Sequence, residues 1–465
     1  MFDGYNANSG SLTSQAMAGF FASSGDAITD AESRQTIVER SRYLNTCSTT
    51  ARALHDCLSR SVVGSGIRYE EPKSSEFFDY SDAEIKTKFN RISHTRLLDA
   101  RHRLTLTQME HLVFQTMIIS GECWLFRKGS SWIIKEPDDI KTPTAFEQNN
   151  NIVNLDSGNY IIDGIELEDG IPVACYLCEK DEGEEKWERI PFKDDSGLIQ
   201  VLQVFMQERP EQVRGLPLTA PVIPQLWSCL AYAESETQMA MLQTNMSLII
   251  TTGTNPTVNP FGGISVRDLD APLIPEKDDS KKTGEFSWIP PQGESGFYGL
   301  IDKANFIKPG QTRHLAEGED IKFVSPTAPH TGFTNFCDFM IRQIGASVGI
   351  PYQVLTQSFD SNFSAVRGAV SAFNHTTNRY RKVLIENFLK PIFEVFLHDI
   401  ISDNEICELI AMESQWLPND SRLNIDPTRE IDFYIKGIDA GLISPDEASE
   451  LLFSHPAYRE VNKNE

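Results

Sequence analysis

From Gly215 to Val266 this chain contains no lysine and no arginine, and its only charged side chains there are Glu234 and Glu236. Inside that stretch, Pro221 to Thr252 reads as one long helix. Pro224 suits a first helical turn, and Gly253 suits a stop. At about 1.5 Å per residue such a helix would be roughly 45 Å long. A helix of that length facing water would carry more charge, and one wholly buried would be more apolar. Ser, Thr, Gln, Asn, Ala and Met fill it instead. Two compatible readings stay open: a helix packed between subunits, and a helix lining a pore with few cations.

The second constraint is the block Gly349-Ile-Pro-Tyr-Gln-Val-Leu-Thr-Gln-Ser-Phe-Asp-Ser-Asn-Phe-Ser-Ala-Val-Arg367. Thr331 to Val348 reads as a helix that Gly349-Ile-Pro breaks. A short polar loop follows. Ser361 or Asn362 can cap the next helix, which runs to about Ile401 with a kink expected at Pro391. A polar loop on two rigid struts suits a mechanical part better than an enzyme pocket.

Around these elements the pattern is mixed. Residues 31–62, 81–95 and 104–119 read as helices, and Val62-Val-Gly-Ser-Gly-Ile67 as a turn into a strand. Gly121-Glu-Cys-Trp-Leu-Phe-Arg and Trp132-Ile-Ile-Lys read as a hairpin. Tyr160–Leu167, Pro172–Leu177 and Ile199–Phe205 read as short strands, which makes residues up to about 215 an α+β domain. Residues 253–326 are rich in Pro and Gly with weak β runs such as Gly284-Glu-Phe-Ser-Trp-Ile. Residues 404–465 read as short helices, with Ser444 and Pro445 opening one.

The 465 residues allow two or three domains with real cores. The net charge of −24 argues against tight, ion-paired retention of nucleic acid, although solubility alone would also account for it. Eight dispersed cysteines suggest reduced thiols and not a disulfide framework. Cys175 and Cys178 form an isolated C-x-x-C inside a strand pattern, without the second pair a zinc site needs. Met1–Asp30 holds no Lys or Arg, lacks the basic region of a signal peptide, and reads as a flexible arm. No apolar run reaches membrane-spanning length.

No phosphate-binding loop, dinucleotide fingerprint, nucleophile elbow or zinc-protease motif is present. The nine histidines are scattered. Pro137-Asp-Asp-Ile-Lys141 resembles a nuclease carboxylate-lysine pattern, but its groups sit too close together to come from separate strands, so a strand-end turn is the better account. The acidic run Glu179–Glu188 reads as a solvated hairpin tip. No catalytic residue, cofactor or metal ligand is assigned.

Separated blocks in this chain resemble the lambda-type portal protein family of tailed bacteriophages. Arg42-Tyr-Leu-Asn-Thr-Cys-Ser-Thr-Thr-Ala-Arg through Ile67 is similar to the family's first helix and its "VVG-x-G-I" turn. Glu208-Arg-Pro-Glu-Gln-Val-Arg-Gly-Leu-Pro followed by Ala220-Pro-Val-Ile is similar to "RPGQ-x-RG-x-P…APVI", with Glu211 where the family has Gly. Lys308-Pro-Gly, Glu317-Gly-Glu, the 349–367 block and Ile425-Asp-Pro…Gly441-Leu-Ile-Ser follow in family order. Together they cover roughly residues 30–455.

The resemblance implies an α+β portal fold assembled as a ring, normally of twelve subunits, at one capsid vertex of the virion after assembly in the host cytoplasm. It implies a non-enzymatic channel for packaging and ejecting double-stranded DNA, with ATP hydrolysis left to the terminase. Expected partners are the terminase large subunit, head-tail adaptor proteins and the major capsid or scaffold protein, with no membrane and no cofactor.

The implied parts are an arm (1–30), a wing (31–219), a stem helix (220–252), a clip (253–329) and a second stem helix (330–348). A channel loop (349–363), a long kinked wing helix (364–403) and a crown (404–465) complete them. The channel loop would present Gln353, Thr356, Gln357, Ser358, Asp360, Ser361 and Asn362. The stem would line the channel with Glu234, Gln238, Gln243 and Asn245. Lys281 and Lys282 would dock clip partners, and Phe359, Phe363 and Arg367 would face neighbouring subunits. A wall without cations lets a polyanion slide, because each phosphate ion pair adds grip. Another phage head protein, and a metal-dependent nuclease, are the alternatives.

Overall fold

The computed structural model describes residues 31–70, 82–146, 152–155, 157–181, 184–245, 249–252, 319–322, 332–358, 363–401, 404–418, 427–442 and 444–445. The chain divides into two compact units, 1–228 with 338–465, and 229–337.

In the larger unit, α1 (Ala31–Cys47) and α2 (Thr49–Val62) replace the single helix expected over 31–62. Ser48 separates them. Its backbone is extended and its hydroxyl accepts from Ala51 N–H, so it caps α2. Strand β1 (Ile67–Glu70) and helix α3 (Asp82–Ser93) follow. Helix α4 (Leu106–Ser120) opens on a reciprocal cap in which Thr105 and Gln108 satisfy each other's backbone N–H groups.

Strands β2 (Glu122–Lys128) and β3 (Ser131–Lys135) form the expected hairpin. β4 (Ile152–Asn154), β5 (Tyr160–Ile162), β6 (Ile165–Glu168), β7 (Ile171–Asp181) and β8 (Glu184–Pro191) make one antiparallel sheet in chain order. β9 (Val201–Phe205) pairs with β2, giving a second sheet of order β3-β2-β9. β2 is central and buried on both faces: Cys123 and Leu125 join the helical core, while Trp124 and Phe126 join the core under the five-stranded sheet.

Helix α5 (Ile223–Asn245) follows a turn of 3-10 helix at Ala220–Val222. The helix expected to reach Thr252 stops at Asn245, and Ile249–Thr252 is strand β10 instead. Ile-Ile-Thr-Thr is wholly β-branched, which favours a pleated strand over a helical turn. β10 pairs antiparallel with β11 (Glu319–Lys322). The rest of the expected clip, residues 253–318 and 323–329, lies outside the described residues, as do the arm and the run at 284–289.

Helix α6 (Phe333–Val348), short helix α7 (Tyr352–Thr356) and helix α8 (Phe363–Leu384) come next. A π-helical turn at Ile385–Leu389 leads into α9 (Lys390–His398). Pro391 explains the turn: its ring crowds the carbonyl four residues back, at Asn387, and the wider coil relieves the clash.

Helix α10 (Asn404–Glu413), strand β12 (Gln415–Pro418) and helix α11 (Pro427–Asp439) end the described chain. The expectation set 404–465 apart as a crown. Residues 404–418 instead belong to the main core, because β12 pairs with β1 and Trp416 enters an aromatic cluster. There Tyr69 lies 4.5 Å from Phe393, Phe89 5.0 Å from Phe393, and Trp416 5.8 Å from Phe393. Each such side chain contributes roughly 1.5–3 kcal/mol on burial.

A buried ionic network ties β2, the β5–β6 turn and α1 together. Arg214 lies 2.6 Å from Glu122 and 3.3 Å from Asp163, and Arg34 lies 2.5 Å from Asp163. Burial alone would raise the Glu122 pKa, but Arg214, Arg34 and the Gly215 N–H outweigh it and hold it below the usual carboxylate range. Gly215 must lack a side chain, since a Cβ there would fall 2.2 Å from the Gly121 carbonyl oxygen. The Arg-Gly of the 208–217 block is therefore a structural pair.

Candidate functional site

The corner from α6 to α8 is built by helix-ending chemistry. Ile350 N–H bonds to the Gly345 carbonyl at 2.8 Å and Gly349 N–H to the Ala346 carbonyl at 3.3 Å, which closes α6 with a Schellman cap. Gly349 sits at φ +76°, and a Cβ there would also meet Thr376 Oγ1 at 2.7 Å. Ile350 is buried behind it.

Pro351 then starts α7, accepting from Val354 and Leu355 N–H at 3.0 Å each. The segment expected as an open loop is thus helical over Tyr352–Thr356, because Pro351 fixes an N-cap geometry and Leu355 is drawn into the core. Gln357 ends it in the left-handed region, φ 55°.

Of the residues assigned to this corner, Thr356 and Gln357 are exposed, and Gln353 and Ser358 are half-buried. Phe359, Asp360, Ser361 and Asn362 lie outside the described residues. Phe363 opens α8, and Arg367 is exposed one turn later. On α5, Glu234 and Gln238 are exposed, whereas Gln243 and Asn245 fall in its last turns, where only the backbone is described. Glu236 is buried and hydrogen-bonded to Tyr232. Among the described residues of α5, that leaves Glu234 as the exposed charge. Lys281 and Lys282 lie outside the described residues.

A cation the sequence reading passed over stands at this corner. Arg342, exposed on α6, stacks on the Tyr352 ring at 4.2 Å, and the Tyr352 hydroxyl donates to Asp338 Oδ1 at 3.0 Å. The bond to Asp338 raises the phenol's pKa. The spacing Asp338, Arg342 (one helical turn) beside a Tyr just past the Gly-x-Pro was the available signal. A guanidinium held on a ring face is less free to reach a passing phosphate.

The carboxylate-lysine segment is a 3-10 turn at Pro137–Asp139, as a strand-end turn requires. It borders a cleft of about 460 Å³ lined by Lys135, Asp138, Asp139, Lys141, Cys178 and Glu179. Its acids face cations: Asp138 lies 2.6 Å from Arg42, and Lys135 lies 2.8 Å from Glu179 and 3.7 Å from Asp139. Among the described residues no group of His, Cys, Asp and Glu is placed to hold a metal, and no helix is long and apolar enough to cross a membrane. Cys175 and Cys178 both lie buried on β7, and burial pushes the Cys175 thiol up to about 12.

A family model described as "Phage portal protein, lambda family" matches residues 13–381. Among solved structures, the neck of an empty gene transfer agent (GTA) particle aligns at 12% identity over 88% of this chain and 90% of that chain, with a TM-score of 0.49. The virion of a native GTA particle aligns at 12% identity over 90% and 92%, TM-score 0.49. An HK97 family phage portal protein from Corynebacterium diphtheriae aligns at 10% identity over 71% and 84%, TM-score 0.35. The family match spans most of the sequence, and the chain belongs to the lambda family of phage portal proteins.

Proposed function

We propose that copies of this chain close into a ring and that double-stranded DNA slides through its centre past α5 and the 349–363 corner. A portal protein of this family is a structural part of the virion and not an enzyme. It gives DNA its way in and out at one capsid vertex.

The observation that carries the channel assignment is the charge of α5. Its sequence lacks Lys and Arg entirely, and its exposed side chains include Glu234 and Gln238. Such a surface offers phosphates polar contact without ion pairs, so DNA passes in either direction with little grip. The corner continues the pattern with Gln353, Thr356, Gln357 and Ser358, while Arg342 is occupied by Tyr352. α5 and α6 serve as the stem, residues 31–219 with α8 and α9 as the wing, 253–329 as the clip, and the chain beyond 418 as the crown. Lys281 and Lys282 dock the terminase and then head-tail adaptors; reversing their charge should weaken that docking in a pull-down.

Electron microscopy of the purified full-length protein tests the ring. A closed annulus, twelvefold or near it, with a hole of duplex width supports it, and compact monomers at capsid-assembly concentrations would overturn it.

A further inference from the structure

The thirteen residues Arg91 to Arg103 carry four arginines and two histidines against one acid, Asp99, in a chain of net charge −24. The acid is turned inward. Asp99 is 3% exposed, and its carboxylate accepts N–H bonds from Arg103 at 2.8 Å, Arg101 at 3.1 Å and Leu104 at 3.1 Å. Burial alone would raise its pKa, but those N–H bonds outweigh it and hold it low, so it stays ionised.

The other side of the turn is laced to β3. Ala100 N–H bonds to the Trp132 carbonyl at 2.9 Å, and Trp132 N–H to the Leu98 carbonyl at 2.8 Å. His102, held at φ 53°, places its ring 3.3 Å from the Arg96 carbonyl. The loop is therefore braced on one side by the Asp99 carboxylate and on the other by β3.

Everything basic points out. Arg91, His94, Arg96, Arg101, His102 and Arg103 are all exposed, with Lys88 one turn earlier on α3. Among the described residues, Lys88, Arg91, Arg96, Arg101 and Arg103 are in no ion pair. The loop runs directly into the positive end of the α4 dipole. A protein-binding surface would centre on aromatic or Met anchors, whereas the one large apolar side chain exposed here is Leu97, at 58%. Guanidinium groups match phosphate geometry.

We propose that the 91–103 loop grips the phosphodiester backbone of double-stranded DNA, without regard to sequence. The choice of DNA among polyanions rests on the portal reading.

The test uses the purified full-length chain and a labelled mixed-sequence duplex of about 30 base pairs, roughly three helical turns. Anisotropy is followed across a KCl series. The triple variant Arg96→Ala, Arg101→Ala, Arg103→Ala leaves Asp99 and the backbone lacing in place. It should bind at least about tenfold more weakly and lose roughly 2 to 3 from the slope of log K against log salt. Affinity and slope equal to wild type would overturn the proposal. Displacement of the duplex by polyglutamate as readily as by unlabelled DNA, at equal charge, would overturn it in favour of an acidic protein. Micrographs of the same samples separate the two readings. A variant that loses rings while keeping DNA affinity makes the loop a subunit contact and sinks the proposal. A wild type without rings, but with the variant's binding loss, upholds the loop and sinks the ring.

Discussion

The regions proposed as wing and stem treat charge in opposite ways. In the wing, charge is used and fixed: Arg214, Glu122, Asp163 and Arg34 neutralise one another inside, Asp99 is buried to organise a turn, and arginines are displayed on that turn. In α5, charge is nearly absent, and of its two acids one is hydrogen-bonded inside to Tyr232. Buried ion pairs set register, because each partner left alone is costly. A sliding surface needs the reverse, contacts that favour no register at all. On the two proposals together, one polyanion is gripped at the 91–103 loop and let past along α5.

The largest expected effect breaks the wing's side of that contrast. Arg214→Ala should strip Glu122 of its closest cation and leave a buried carboxylate with Gly215 N–H and Gln203 Nε2 as donors and only the more distant Arg34 as a cation. A loss of about 3–5 kcal/mol is expected in urea unfolding of the full chain. Replacing Glu122 by Gln alongside Arg214→Met should recover much of it, since a neutral pair lacks the stranded charge. A loss under about 1 kcal/mol would mean the network contributes nothing to register.

The next effect concerns pH. Glu110, on α4, is 1% exposed and accepts the Ile67 N–H at 2.9 Å; burial raises its pKa to about 8. His55, buried on α2, is lowered to about 4 by burial. A raised carboxyl contributes stability fully present below its unfolded value near 4.5, lost as pH climbs to about 8. A lowered imidazole acts oppositely, losing stability as pH falls from 6.5 to about 4. The two slopes oppose each other between pH 4.5 and 6.5, so of this pair only Glu110 acts above 6.5. Stability should fall by about 2 kcal/mol from pH 6.5 to 8, and Glu110→Gln should flatten that limb. An unchanged limb in the variant would place the titration elsewhere.

A smaller effect tests the corner. Tyr352→Phe removes the bond to Asp338 and should cost about 1 kcal/mol. Hydrogen exchange should quicken at Val354 and Leu355 and stay unchanged in α4. Uniform exchange across both would show that Asp338, Arg342 and Tyr352 do not hold α7 to α6.

Much of this was legible from periodicity and punctuation. The helices at 104–119 and 331–348, the hairpins and the turn at Pro137 follow from spacing and from Gly and Pro. What escaped has a common cause. Ser48 divides a continuous helical pattern because a hydroxyl competes for backbone N–H, which no periodicity reports. Trp416 joins the core by pairing with a strand some 350 residues earlier, a non-local choice invisible to a local window. Arg342 and the 91–103 arginines were masked by averaging, since a net charge of −24 describes no particular surface. What survives any folding is the absence of cations over Gly215–Val266, which the sequence states outright.

The smallest effect on stability decides most about function. Gln238 and Gln357 are exposed, so Gln238→Lys and Gln357→Lys should shift unfolding by less than about 0.5 kcal/mol and leave assembly intact. In a ring each lysine recurs once per copy, so a single substitution encircles the duplex with cations. Each phosphate it engages adds grip that added salt relieves. DNA packaging in a capsid extract should slow severalfold with either variant and recover as salt rises. The same lysine placed in the wing at Gln35, exposed on α1, should leave the rate untouched. Equal slowing by all three would mean that added charge acts through the protein's overall field and not through a wall the DNA touches, and the contrast between gripping wing and slippery stem would fail.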